Sequence, residues 1–110
     1  MAREQFQNLT EPMYYILMSL LKESCGVDIM ASVDKISNGR VRVGPGTLYA
    51  LLGKFEKENM IRETEVVGRK RSYIITDKGL DILKEEYERL QILVEDGKLF
   101  LEGENNGIRE

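Results

Sequence analysis

The hydrophobic period of the sequence changes twice, and this change restricts the fold more than any other feature. Up to about residue 58 the apolar side chains recur at helical spacing, as Ile29, Val33 and Ile36 illustrate. Residues 60–75 instead have the extended pattern of two β-strands. A helical period returns from Asp77 onward. The sequence therefore predicts a mainly helical protein that contains one small β-hairpin.

Residues that begin or stop helices mark the first three helices. Residues 10–12 (Thr-Glu-Pro) predict the start of a helix that runs to about Glu23. A second helix is predicted from Gly26 to the Asn38-Gly39 pair, and a third over 45–58. Between the second and third helices, Val41-Arg42-Val43 is predicted to be a short bridge strand.

The hairpin and the last helix complete the predicted order of elements. The strands are predicted at Ile61–Val66 and Ser72–Ile75, joined by a turn at Gly68–Arg71, and Thr76 caps the last helix. Three helices, a hairpin and a long helix make a winged helix-turn-helix, mainly α with a small β wing. The predicted division is a winged helix-turn-helix DNA-binding domain at 1–76, a C-terminal dimerisation helix at 77–102 and a flexible tail at 103–110.

Charge is distributed unevenly along the chain. The net charge is −3, yet residues 40–76 carry eight basic and four acidic side chains, a balance of +4. The flanking segments have balances of −2 (1–39) and −5 (77–110), which together give the total of −3. A basic middle in an acidic protein suits a localised anionic partner. The alternative is an ordinary solvated face without a partner.

The outer face of the third helix is unusual for a free surface. Ala50 and Gly53 lie in the middle of it, where Glu, Lys or Gln would propagate the helix better. Small side chains permit close approach, as in a DNA major groove, and the cations of the hairpin turn suit phosphates. For Tyr49 a half-buried packing role is the alternative. The predicted DNA-binding residues are Arg40, Arg42, Gly46, Thr47, Tyr49, Ala50, Gly53, Lys54, Lys57, Arg69, Lys70 and Arg71.

A different class of function would use the same basic surface. The chain could be a winged-helix protein-interaction module that binds an acidic protein partner. Bulk duplex DNA need not compete with such a partner, whereas it must compete for a DNA-binding site. Competition by bulk DNA therefore separates the two hypotheses.

The last helix carries apolar residues at alternating spacings of three and four, the pattern of a coiled-coil seam. We interpret its first members, Leu80 and Leu83, as packing within the chain. The remainder predicts a homodimer, which would present two recognition helices to paired half-sites. The predicted dimer interface comprises Tyr14, Tyr87, Leu90, Val94 and Leu101.

Residue usage excludes several kinds of chemistry. The chain has no His and one Cys, so it offers no zinc cluster, no His-based catalysis and no intrachain disulfide. Its longest apolar run, 13–21, is too short to cross a bilayer. We expect no enzyme activity, no cofactor, no metal, no membrane contact and a cytoplasmic location. Cys25 is interpreted as a small buried residue.

Four segments of the chain, taken together, form a specific set. They are Tyr14-Tyr15-Ile16-Leu17, Gly46-Thr47-Leu48-Tyr49, the helix end at 55–61, and Gly68-Arg69-Lys70-Arg71 with the residues that follow. In these segments the chain resembles the PadR-type family of bacterial transcriptional regulators, from about Leu9 to Leu83. The resemblance implies a dimeric DNA-binding repressor of the compact subfamily, which has a single C-terminal helix.

Some compact members of that family bind flat aromatic effectors between their protomers. This chain has no Trp, so the resemblance places an effector pocket on the remaining aromatic residues. The candidates are Tyr14, Tyr15, Tyr87 and Phe100. Release from DNA by a small aromatic effector is the corresponding expectation.

Overall fold

The computed structural model describes residues 8–102. Its elements are α1 (Glu11–Ser19), β1 (Ser24–Cys25), α2 (Gly26–Ile36), α3 (Pro45–Lys57), β2 (Ile61–Val67), β3 (Lys70–Ile75) and α4 (Asp77–Leu101). The strands form one antiparallel sheet in the order β1-β3-β2. The fold is therefore a winged helix-turn-helix with a long C-terminal helix, as predicted.

Helix α1 begins as predicted and ends earlier than predicted. Thr10 accepts a hydrogen bond from the Met13 amide at 3.3 Å and caps the first turn. The helix stops at Ser19, so the predicted end near Glu23 is wrong. Leu20 is fully buried and its carbonyl accepts from the Ile75 amide at 2.8 Å, which ties the chain to the end of β3. The chain is thereby redirected into β1.

The predicted bridge strand at residues 41–43 is also wrong. Val41 and Val43 are buried in the core, but the third strand of the sheet is Ser24–Cys25. The Ser37 hydroxyl satisfies the Val41 backbone instead, accepting from its amide at 3.0 Å and donating to its carbonyl at 3.1 Å. Asn38 and Gly39 have positive φ values of 55° and 78° and end α2 where predicted.

The core lies between the first three helices and the base of the hairpin. Helix α3 contributes Leu48, Leu52 and Phe55, each at most 1% exposed. Leu51 is partly buried at the edge of this core. The other fully buried side chains come mostly from α1 and α2 and include Ile16, Leu17, Leu20, Ile29, Val33 and Met60. Because α3 buries one apolar stripe, its opposite face is left for solvent or a partner.

The hairpin is tighter than predicted. Its turn contains only Gly68 and Arg69, with Gly68 at φ 61°. Lys70 and Arg71 were predicted in the turn but belong to β3, because the two-residue turn extends strand pairing to Val67 and Lys70. Their side chains therefore project from the strand, on alternating faces.

Helix α4 starts against Met60, which lies between α3 and β2, and continues beyond the core. Thr76 accepts from the Gly79 amide at 3.1 Å and caps the helix. Gly79 lies so close to Met60 that a Cβ atom there would be 2.9 Å from the Met60 carbonyl carbon. The buried residues of α4 all fall between Gly79 and Glu86. The division at residues 76 and 77 remains a prediction, and the predicted tail at 103–110 lies outside the described residues.

Candidate nucleic-acid interface

The outer face of α3 is uniformly exposed. Gly44 caps the helix and Pro45 occupies its first turn. The predicted contact residues on this helix are all exposed, namely Gly46, Thr47, Tyr49, Ala50, Gly53, Lys54 and Lys57. A Cβ atom added at Gly46 or Gly53 would meet no atom within 4 Å. Internal packing therefore does not require glycine at these two positions.

The wing and α3 line a cleft made of two cavities, which share Tyr49, Arg69 and Arg71 as lining residues. Tyr49 and Gly53 of α3 line a cavity of about 330 Å³ together with Arg69 and Arg71. Tyr49 also lines an adjoining cavity of about 490 Å³ with Gly26 and with Arg69, Lys70 and Arg71. The fold thus brings the predicted wing cations and the predicted recognition helix to the same cleft, and Tyr49 lines both of its cavities.

Tyr49 is half packed and half exposed. Its hydroxyl end lies against Gly26 at the start of α2, while 49% of the residue remains accessible to solvent. The half-buried packing role weighed from the sequence therefore describes one side of the ring. Tyr49 also lines both cavities of the cleft, and its contact with DNA remains a prediction.

Arg40 and Arg42 do not line the cleft. Arg40 donates from Nη2 to the Tyr15 hydroxyl at 2.7 Å and from Nη1 to Glu11 at 3.3 Å. The hydrogen bond to Glu11 is the main cause of a raised Arg40 pKa. Arg42 forms an ion pair with Asp34, with Nε and Oδ1 3.5 Å apart. The partners of both arginines thus belong to α1 and α2.

Two carboxylates in and beside the cleft were missed in the sequence analysis. Glu56 lines the smaller cavity, and Glu63 of β2 forms an ion pair with Arg71 at 3.4 Å. The pKa of the nearby Tyr73 is raised, chiefly by burial and then by these two carboxylates. Helical spacing could have found Glu56, because it follows Tyr49 by two turns. Cross-strand pairing of β2 and β3 was needed to find Glu63.

Cys25 is buried, as interpreted from the sequence, and its thiol lies 3.5 Å from the Asp28 carboxylate. Within residues 8–102, no group of three or more metal-ligating side chains comes together. No helix in that part of the chain combines the length and the apolar character needed to cross a membrane.

The predicted dimer residues lie on the outside of this chain. Tyr87, Val94 and Leu101 are 53%, 60% and 71% exposed, and Leu90 is half-buried. Tyr14 of α1 lies near Tyr87, and burial is the main cause of its raised pKa, followed by Tyr87 and Glu86. The apolar seam of α4 is therefore largely uncovered over residues 87–101.

The predicted effector residues do not converge within one chain. The rings of Tyr14 and Tyr15 meet edge to face, with centroids 6.1 Å apart. Phe100 follows Tyr87 on α4 by 13 residues, which places it about 20 Å further along the helix axis. A pocket that used all four aromatic residues would require two protomers.

A model of the transcriptional regulator PadR-like family matches residues 16–85. The chain belongs to the PadR-like family. The predicted resemblance is thereby confirmed, and membership of a regulator family agrees with the prediction that the chain is not an enzyme.

Individual relatives of this PadR-like chain are distant. An uncharacterised transposon protein of Streptomyces fradiae is 34% identical over 61 residues, 56% of this chain and 17% of that protein. The transcriptional regulator YqjI of Escherichia coli is 24% identical over 73 residues, 66% of this chain and 35% of that protein. The chain thus spans between about a sixth and a third of the length of these relatives.

Solved structures share the fold of the PadR-like chain. A transcriptional regulator from Clostridium thermocellum superposes with a TM-score of 0.70 at 22% identity, covering 84% of this chain and 95% of that one. A PadR family regulator from Eggerthella lenta superposes with a TM-score of 0.66 at 22% identity, covering 83% and 78%. At this identity the likeness supports the fold alone.

Proposed function

We propose that this PadR-like chain is a sequence-specific DNA-binding transcription regulator. In this proposal α3 enters the major groove and the wing contacts the adjacent phosphate backbone. The observation that carries the proposal is the shared cleft in which Tyr49 and Gly53 of α3 face Arg69 and Arg71 of the wing. The bare face of α3 permits base contact, and the cations beside it supply the electrostatic attraction.

The residues divide by role in this proposal. Ala50 and Gly53 allow the helix backbone to approach base edges closely, so they affect sequence preference. Arg69 and Arg71 contact phosphates, which are the same in every sequence, so they affect affinity without changing preference. Arg40 and Arg42 can contact the DNA phosphates only if their ion pairs with Glu11 and Asp34 break.

The proposed active form is a homodimer joined along α4. The supporting observation is the row of exposed apolar side chains on α4, which a monomer would leave in water. Tyr14, Tyr87, Leu90, Val94 and Leu101 form the proposed seam. Two copies would then offer two recognition helices to a two-fold symmetric site.

The proposed mode of regulation is repression that a small aromatic effector relieves. Tyr14, Tyr15 and Tyr87 of one protomer and Phe100 of the other would have to line the effector pocket, given the separation of Tyr87 and Phe100 along α4. An effector bound there would alter the arrangement of the two protomers and thus the spacing of their recognition helices.

A salt titration of DNA binding tests the central proposal. The probe is a fluorescent duplex containing the region upstream of the protein's own coding sequence, with unlabelled bulk duplex DNA as competitor. If each protomer neutralises about four phosphates, log K should fall against log salt with a slope of about −7 for the dimer. An affinity independent of salt, or binding that bulk DNA does not weaken, would contradict DNA recognition and favour an acidic protein partner.

A further inference from the structure

Gly26 is a buried glycine whose own backbone does not require glycine. It is the first residue of α2, and it is not among the residues of positive φ within 8–102. Alanine generally favours a helix over glycine. The reason for glycine at this position must therefore be a neighbouring group that fills the space of a side chain.

That neighbour is Tyr49 of α3. A Cβ atom at residue 26 would lie 2.9 Å from Cζ of Tyr49, 3.4 Å from its Cε1 and still closer to its hydroxyl. The phenol thus occupies the volume that any side chain at residue 26 would need. Because the ring is rigid, relief of the overlap requires the whole ring to rotate about its side-chain torsions.

We infer that Gly26 is a positioning residue for Tyr49. The missing side chain lets the phenol lie across the start of α2, and this contact fixes the exposed half of Tyr49 between α3 and the wing cations. Gly26 thereby affects DNA binding by positioning Tyr49 and not by contacting DNA itself. The inference rests on the proposed function and deepens it by naming what orients one recognition residue.

A double-mutant cycle on DNA affinity tests the inference. Gly26→Ala should weaken binding to the upstream duplex by about tenfold, because the displaced ring leaves its place or intrudes into the cleft. In a Tyr49→Ala background the same change should leave the affinity unchanged, since the methyl group then meets no ring. An unaltered affinity of Gly26→Ala, or an equal loss in both backgrounds, would overturn the inference.

The folding of the variants provides a second readout. If Gly26→Ala unfolds the protein, the double variant Gly26→Ala/Tyr49→Ala should fold, because the overlap that causes the damage is absent. A double variant that also fails to fold, while Tyr49→Ala alone folds, would overturn the inference. Thermal unfolding followed by circular dichroism makes this comparison.

A measurement without DNA separates failure of this inference from failure of the proposed function. Nuclear Overhauser effects between the Tyr49 ring and the α-protons of residue 26 should be present in the wild type and absent for the one α-proton that remains in Gly26→Ala. Their absence from the folded wild type would overturn the inference even if DNA binds. Their presence in a protein that binds no duplex would support the Gly26–Tyr49 contact and reject the proposed function.

Discussion

The carboxylate of Glu86 is held by Arg89, one turn further along α4. Arg89 Nη2 and Nε donate to the two carboxylate oxygens at 2.7 and 3.0 Å, and Glu86 is only 1% exposed. This hydrogen bonding is the main cause of a raised Arg89 pKa. Burial of a charged carboxylate costs free energy, and the hydrogen bonds from Arg89 offset part of that cost where α4 packs on the body of the chain.

We expect Arg89→Ala to lower the free energy of unfolding, because it removes this cation from a buried negative charge. Adding Glu86→Gln should restore part of the loss, since a neutral amide is cheaper to bury. Urea denaturation of the two variants and the wild type measures the comparison. A double variant less stable than Arg89→Ala alone would contradict the explanation.

Gly53→Ala should stabilise the chain and change its DNA recognition. An alanine Cβ at this exposed helical position meets no atom, so the free energy of unfolding should rise by about 1 kcal/mol. The same methyl group stands where a base edge is proposed to lie, so the preferred duplex sequence should change. Denaturation and selection from a random duplex library measure the two effects, and an unchanged preference would argue against major-groove entry by this face.

Arg71→Ala should weaken binding to all duplexes by a similar factor. It should also make the salt slope shallower by about one for each phosphate that the variant no longer neutralises. Arg62→Ala is the matched control, because Arg62 is an exposed arginine on β2 that precedes Glu63 and so projects to the other face of the hairpin. Fluorescence anisotropy over a range of salt compares them. Equal losses in both variants would show that general charge, not the cleft, supports binding.

Val94→Glu should convert the proposed dimer into a monomer. Val94 is 60% exposed in the single chain, so a carboxylate there disturbs the seam without disturbing the core. The control is Glu95→Gln, one residue further along and off the seam. Sedimentation equilibrium should give a dimer for the control and a monomer for Val94→Glu, with unchanged helical circular dichroism. A monomeric wild type would refute the seam.

Alkaline pH should destabilise the chain through two tyrosines, of which Tyr73 is buried and Tyr14 is partly buried. Burial raises the pKa of Tyr14 and of Tyr73 above the ordinary value of 10.0. The folded state therefore favours the neutral phenol. The contribution of these phenols to the free energy of unfolding is complete below about pH 10 and is lost as pH rises through the folded-state pKa. Tyr73→Phe should flatten the fall in melting temperature between about pH 9 and 11. An equally steep fall in the variant would contradict this assignment.

The parts of the fold set by local signals were predictable. Thr10, Asn38 and Thr76 begin or end helices through their own side chains or backbone, and each does so where predicted. The end of α1 and the third strand were not predictable in this way. Both depend on Leu20 and Ser24 meeting β3, about fifty residues away, and no local spacing encodes that pairing.

The candidate site was predictable in composition and less so in arrangement. Helical spacing correctly predicted which residues share the exposed face of α3, including Tyr49 and Gly53. The contact of Tyr49 with Gly26 was not foreseen, because it joins two helices through the absence of a side chain. The ion pairs of Arg40 and Arg42 were also missed, since charge counting does not show which cations are already bound.

The contact between Gly79 and Met60 has a mechanical consequence. Gly79 is in the first turn of α4, and from there to Leu101 the helix extends about 33 Å. A tilt of about 5° at that pivot would swing the far end by about 3 Å, nearly the rise of one DNA base pair. In a pair of chains joined near that end, such a tilt would change the distance between the two recognition helices. That distance would therefore depend on residue 79 having a hydrogen atom in place of a methyl group.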